Sequence, residues 1–260
     1  MGGFYYFWNN KTQLLCHFLR MKFKNVTLCQ TFAALLSLLM LFSGNLTAQN
    51  YNDSLLDGAW AGNTEKVRRA MLNKADLNYT LLDGATALHY ACGGNNLSIV
   101  RLLVSGGAAM NLPDNKGRTP LHVAAEIGAD SIGEFLIVNG AALHAKNNDG
   151  YTPMMVAVSR GHFIFTHLCL YFGTDIRMRA NDSSTVCHLS VHNGNPLILQ
   201  LLIDKGAEPD VCDRAGKSPL ALAVLYNDTV CTRILLQSGA SLNPGCSSLN
   251  AGELISQAIN

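Results

Sequence analysis

The chain has 260 residues, only 14% of them charged, and a formal net charge of +1 at pH 7. Residues 1–48 hold four of the 19 basic residues and none of the 18 acidic ones, so the remaining residues have a net charge of −3. This balance excludes the strongly basic surface on which nucleic-acid binding depends, and we expect no nucleic-acid partner.

The N-terminal segment follows no repeat. Residues 1–20 are aromatic and polar without a period, and we interpret them as an over-extended N-terminus. In residues 21–48, two lysines precede a leucine-rich apolar stretch at 27–42, and a small residue, Ala48, ends the segment. This order predicts a secretory signal peptide at 21–48 that is cleaved near Ala48.

A cleaved signal predicts a periplasmic or secreted protein that is not membrane-bound after cleavage. The alternative is a retained membrane anchor, because residues 26–46 approach the about 20 apolar residues that a membrane-spanning helix needs. Polar residues within this stretch, and Ser43-Gly44-Asn45 near its end, favour the signal peptide.

From residue 80 onward, the same residue types return every 33 residues. A glycine ends a tight turn near the start of four units, and Ser183 takes its place in the remaining one. Another glycine closes each unit. The turn glycines are Gly84, Gly117, Gly150 and Gly216, and the closing glycines are Gly107, Gly140, Gly173, Gly206 and Gly239. A period of this length is typical of stacked repeats.

The unit at residues 114–145 shows the physical basis of the pattern. Turn formers at its start, ending in Gly117, predict a hairpin tip. Thr119 is suited to cap a short helix, and Pro120 to its first position, where no backbone N–H is needed. Gly128 is the residue expected just past the end of that helix.

A second helix is predicted from Asp130 to Val138, with Ile132, Phe135, Leu136 and Val138 facing inward at helical spacing. Neither helix of a unit can bury its apolar face alone. Neighbouring units must therefore stack, and the molecule is expected to be elongated.

The sequence Thr119-Pro120-Leu121-His122, near the start of a 33-residue unit, resembles the ankyrin-repeat family. The resemblance implies an all-α ankyrin-repeat solenoid of stacked helix-turn-helix units with hairpin loops. We predict a degenerate N-terminal capping repeat at 49–79 and a C-terminal capping helix at 245–260. Between them we place five repeats, at 80–112, 113–145, 146–178, 179–211 and 212–244.

Histidines recur in the repeat, since His89, His122 and His188 occupy equivalent positions. A row of imidazoles is a candidate metal site. The resemblance instead implies a structural histidine that hydrogen-bonds the backbone of the neighbouring hairpin. Stacked repeats about 10 Å apart would also keep the rings too distant to share an ion. We therefore predict no metal site.

Six cysteines follow the predicted signal peptide. Cys169, Cys187 and Cys231 align with leucine or isoleucine in other units, so we expect them to be small buried hydrophobic residues. Cys212 and Cys246 lie at nearly equivalent places in successive units. They are the one pair to test for a disulfide bond, which export would permit.

The resemblance also implies where a partner binds. In the ankyrin family, the hairpin tips and the exposed side of the first helices form a concave surface on which proteins dock. Tyrosine and arginine are the residue types that tend to dominate such interfaces. The partner-binding residues that we predict, here called the candidate surface, are Lys116, Arg118, Glu126, Ile127, Tyr151, Arg160, His192, Arg214, Lys217, Leu225 and Tyr226.

The sequence contains no G-x-S-x-G, P-loop or H-E-x-x-H motif, and we predict neither enzymatic activity nor a cofactor. We expect a non-enzymatic, monomeric module that binds another protein and acts as a scaffold or an inhibitor. The alternative is a redox or metal-handling protein that uses the cysteines and histidines in an oxidising compartment.

Overall fold

The computed structural model describes residues 49–242 and 245–246, and the regular secondary structure of this part is helical. The predicted signal peptide, the residues before it and residues 247–260 of the predicted capping helix lie outside the described residues. The helices are α1 (49–60), α2 (Thr64–Leu72), α3 (Ala87–Gly93), α4 (Leu97–Ser105), α5 (Pro120–Ile127), α6 (Asp130–Val138), α7 (Pro153–Arg160), α8 (Phe163–Tyr171), α9 (Val186–Asn193), α10 (Pro196–Asp204), α11 (Pro219–Leu225) and α12 (Thr229–Gln237).

The helices form two layers. The first helices of the units, α3, α5, α7, α9 and α11, pack each on the next, and the second helices, α2, α4, α6, α8, α10 and α12, form a parallel row behind them. Within the described residues there is no strand, and an isolated bridge pairs the extended backbone of Thr80 with that of Thr86. The predicted all-α solenoid is confirmed.

Local sequence determines where each first helix begins and ends. Thr119 is the N-cap of α5 and Pro120 follows it, while Gly128 ends the helix with φ 71°, in the left-handed region that glycine tolerates. Threonine or serine also caps the four remaining first helices after α1, at Thr86, Thr152, Thr185 and Ser218.

The core consists of rows of equivalent residues that run along the stack. One row contains Leu88, Leu121, Met154, Cys187 and Leu220, and all five are fully buried or nearly so. Cys169 and Cys231 occupy equivalent rows on the second helices and are also fully buried. The prediction that these three cysteines replace core aliphatic residues is confirmed.

One inward-facing residue was predicted wrongly. Val138 is 67% exposed, whereas Ile137 is buried together with Ile132 and Leu136. Successive residues of a helix are rotated by about 100°, which places position 138 opposite the centre of the buried stripe. Phe135, beside that stripe, is only half-buried.

A pair of residues of unequal size packs between α6 and α8. Phe165 of α8 is fully buried where the equivalent residues of the other four repeats are isoleucine or cysteine, and Gly133 of α6 lies against its ring. A Cβ atom on Gly133 would overlap the ring carbons of Phe165. The larger side chain is therefore accommodated by the smallest possible neighbour.

Candidate functional site

Three histidines bond the first helix of one unit to the tip of the next. The Nδ1 atom of His89 accepts a hydrogen bond from the backbone N–H of Thr86 (3.1 Å), and its Nε2–H donates to the carbonyl of Arg118 (2.9 Å). The same two bonds recur at His122 and His188. These residues hold the tips in place, as the resemblance implied.

All three imidazoles are buried, and burial lowers their pKa below 6.5 even though backbone hydrogen bonds and nearby aspartates oppose the shift. A lowered pKa keeps the rings neutral at pH 7, with one nitrogen as acceptor and the other as donor. In the described residues, no group of three or more His, Cys, Asp or Glu side chains is placed to hold a metal ion.

A ladder of asparagine side chains joins the hairpin tips. The side-chain N–H groups of Asn115, Asn148 and Asn181 each donate to the backbone carbonyl 33 residues earlier, at 2.7 to 2.9 Å. Gly117 makes room for this ladder, since a Cβ there would lie 2.8 Å from the backbone nitrogen of Asn148. In the fifth unit Arg214 replaces the asparagine. There only a backbone bond joins the two tips, from the N–H of Arg214 to the carbonyl of Asp182.

The centre of the candidate surface is an ion-paired network around Glu126. Its two carboxylate oxygens accept hydrogen bonds from Arg118 and Arg160, both at 2.7 Å, and Arg160 belongs to the next unit. Arg118 also binds the buried Asp114 at 2.7 Å. Burial alone would raise the pKa of Asp114, but the hydrogen bonds from Arg118 outweigh it and lower that pKa. Three predicted residues are thus brought together and held in fixed positions.

A second cluster lies at the C-terminal end of the candidate surface. The Nδ1 atom of His192 is 3.0 Å from the hydroxyl of Tyr226, and the two rings meet edge to face. Leu225 precedes Tyr226 and is 48% exposed. Ile127, beside the Glu126 network, is 40% exposed and adds a separate apolar contact area.

The tip residues are placed differently from one another. Lys116 and Arg214 are exposed, but Tyr151 and Lys217 are half-buried, and their carbonyls accept the histidine bonds. Tyr151 also packs partly against the core, so it offers less free surface than Lys116.

Sequence reasoning missed two aromatic residues at the opposite end. Trp60 of α1 is 65% exposed and meets Tyr90 of α3 edge to face, with ring centroids 5.9 Å apart. The hydroxyl of Tyr90 donates to Asp83 at the first tip (3.0 Å). Position 60 is equivalent to Glu126 and His192, two and four units later. This register could have identified Trp60 as part of the same surface.

One disulfide bond is found among the six cysteines that the structure describes. Cys212 and Cys246 are joined as a disulfide, with Cα atoms 5.9 Å apart. The other described cysteines are buried, and burial raises the pKa of Cys169 and Cys187 to about 12. A thiol with such a pKa is unreactive at neutral pH, so the redox alternative is not favoured.

Comparison with known families agrees with this geometry. A family model described as ankyrin repeats (3 copies) matches residues 55–147, 106–180, 124–211 and 154–246. These overlapping matches cover well over half of the chain. This chain belongs to the ankyrin-repeat family. A search of curated proteins finds no match.

Ankyrin repeats are generally protein–protein interaction modules and typically not enzymes. The described residues also include no helix with the length and apolar character needed to cross a membrane.

Proposed function

We propose that this ankyrin-repeat protein binds one protein partner along the candidate surface and acts there as a non-enzymatic scaffold or inhibitor. The supporting observation is that four of its side chains are joined in pairs across repeat boundaries. The Glu126–Arg160 and His192–Tyr226 contacts each join two successive units.

Fixed side chains favour binding because docking then costs less conformational entropy. The Glu126 network presents paired charges, and apolar groups lie beside it and further along the stack. Ile127 lies beside the network, and Leu225 and Tyr226 lie beyond it. Tyrosine and arginine, both present on this surface, are among the residue types that contribute most to binding energy.

The test compares two triple variants in affinity capture from the native compartment. The first changes Ile127, Leu225 and Tyr226 to serine. The matched control changes Ile164, Leu197 and Val230 to serine, because these are exposed apolar residues in register on the second helices. We leave Arg118 intact, since its loss would strand the buried carboxylate of Asp114.

A partner captured by the parent chain and by the control, but lost with the first variant, is the expected result. A partner lost equally with both variants, or retained by both, would contradict binding on this surface. Circular dichroism of each variant checks that the helices remain folded.

We also propose that the protein acts after export, in the periplasm or outside the cell. The Cys212–Cys246 disulfide supports this, since such bonds persist in oxidising compartments and are rare in the cytosol. N-terminal sequencing of the natural protein tests the proposal. A first residue at or near Gln49 is expected, and an intact sequence before it would contradict cleavage.

A further inference from the structure

A recess lies in the first-helix row near the N-terminal end of the candidate surface. Positions 60, 93 and 126 are equivalent in successive units, and the middle one is Gly93, which has no side chain. A Cβ on Gly93 would meet only Val123, at an ordinary contact distance of 3.5 Å. The row therefore has a gap at Gly93, between Trp60 and Glu126, and adjacent helices in such a stack lie about 8–10 Å apart.

Two aromatic rings bound this recess on its N-terminal side. The rings of Trp60 and Tyr90 meet at 87°, so they form two walls at a right angle. Trp60 is largely exposed, and in the described residues no lysine or arginine lies over either ring. Aromatic faces attract cations, and tryptophan does so most strongly.

A carboxylate completes the corner. Asp83 is exposed, and its two oxygens accept hydrogen bonds from the hydroxyl of Tyr90 (3.0 Å) and the backbone N–H of Ala85 (3.0 Å). Among the described residues no basic side chain forms an ion pair with Asp83, and Lys66 is paired with Asp57 instead. The corner therefore carries an uncompensated negative charge.

We propose that Trp60, Tyr90 and Asp83 form a cation-binding pocket that takes a lysine or arginine side chain of the bound protein partner. This rests on the function proposed above and specifies one contact within it. The aliphatic stem of the incoming side chain lies over Gly93 and Val123, and its charged end reaches Asp83 in the corner that the two rings form. Lys116 holds the position equivalent to Asp83 in the next tip, where it repels a cation. The third and fourth tips again have aspartate there, but Val156 and Leu189 replace Tyr90, so the full set of three residues occurs only in the first of the five repeats.

The experiment selects binders to the full chain from a library of random short peptides, and then replaces each basic residue of a selected peptide with norleucine. Three further chains are compared with the parent. Asp83→Asn removes the charge and keeps the shape, and Trp60→Leu removes one ring. Asp182→Asn is the matched control, because Asp182 is equivalent to Asp83 in the fourth unit and accepts the same backbone bond, there from Ser184.

We expect selected peptides to contain a lysine or arginine whose replacement weakens binding about five- to tenfold, as a cation–π contact plus an exposed ion pair would give. Asp83→Asn and Trp60→Leu should each weaken binding of the parent peptide about fivefold and abolish its preference over the norleucine peptide. Asp182→Asn should change neither. Weaker binding at higher salt is also expected.

Peptides that bind without any basic residue, or that bind the parent and Asp83→Asn chains equally, would overturn the pocket. If those peptides still lose affinity when Leu225 and Tyr226 become serine, the proposed function stands and only this inference fails. Failure to select any peptide would count against both the pocket and the proposed function.

Discussion

The Nε2–H of His122 donates a hydrogen bond to the carbonyl oxygen of Tyr151, 29 residues further on, at 2.9 Å. The same ring accepts the backbone N–H of Thr119 at the start of its own helix. One side chain therefore caps a helix and fixes the tip of the following unit, and the two roles depend on a neutral imidazole.

Replacing this side chain should destabilise the protein strongly. His122→Ala removes both bonds and leaves a cavity, so we expect the free energy of unfolding in urea to fall by about 2–4 kcal/mol. His122→Met should cost less, because a buried Met155 fills the equivalent position in the third unit. His192→Ala, an exposed control, should lower the free energy of unfolding much less than His122→Ala does. Equal losses of unfolding free energy in all three variants would contradict the assigned role.

Stability should also depend on pH. His89, His122 and His188 have folded-state pKa values below 6.5, so the unfolded chain takes up protons near pH 6.5 that the folded chain does not. Their contribution is fully present above about pH 6.5 and is lost as the pH falls from there toward the folded-state pKa values.

The measurement is the urea midpoint at several pH values between about 7.5 and 5.5. A steady fall on acidification is expected, and His122→Met should reduce its slope because one of the three groups is gone. A midpoint that rises on acidification would show that the sign is wrong.

Replacing Ser183 with glycine should stabilise the protein. It has φ 64° at a position where the other units have glycine, and a side chain in the left-handed region costs about 1 kcal/mol. Ser183→Gly should therefore raise the unfolding free energy by about that amount. Gly150→Ser, the reverse change one unit earlier, should lower it, since a Cβ there would lie 2.6 Å from the backbone nitrogen of Asn181. Thermal unfolding of both variants tests the pair, and a destabilised Ser183→Gly chain would refute the argument.

The contact between Gly133 and Phe165 predicts that the cost of enlarging Gly133 depends on the size of residue 165. Gly133→Ala pushes a methyl group against a fully buried ring and should cost about 1–3 kcal/mol. In a Phe165→Ile background, which restores the residue found in equivalent positions, the same change should cost much less. Additive losses in the double variant would mean that the two residues do not interact.

The sequence predicted the fold well because each boundary has a local chemical cause. Thr119, Pro120 and Gly128 define α5 whatever packs around it, and the period then repeats the result. The direction of Val138 was predicted wrongly because its apolar side chain suggested burial, although the rotation of about 100° per residue from Ile132 and Leu136 turns it away from the core. The Glu126 network could not be predicted either, since it depends on how far Arg160 reaches across a unit boundary.

Trp60 illustrates a different limit. The sequence identifies this tryptophan as part of a cap, and its register alone does not show that it contacts Tyr90. Only the packing of α1 beside α3 places the two rings together. The candidate surface itself stays a prediction, because the repeat pattern shows which positions vary and not what they contact.

The histidine bonds and the asparagine ladder are distributed unevenly along the stack. Both cross the boundaries between the first and second units and between the second and third. The next boundary has Asn181 but Met155 in place of histidine, and the last has His188 but Arg214 in place of asparagine. Pulled from its two ends, the protein would therefore give way at the boundaries outside the first three repeats before those three separate from one another. The first three units would come apart last, as a single mechanical block.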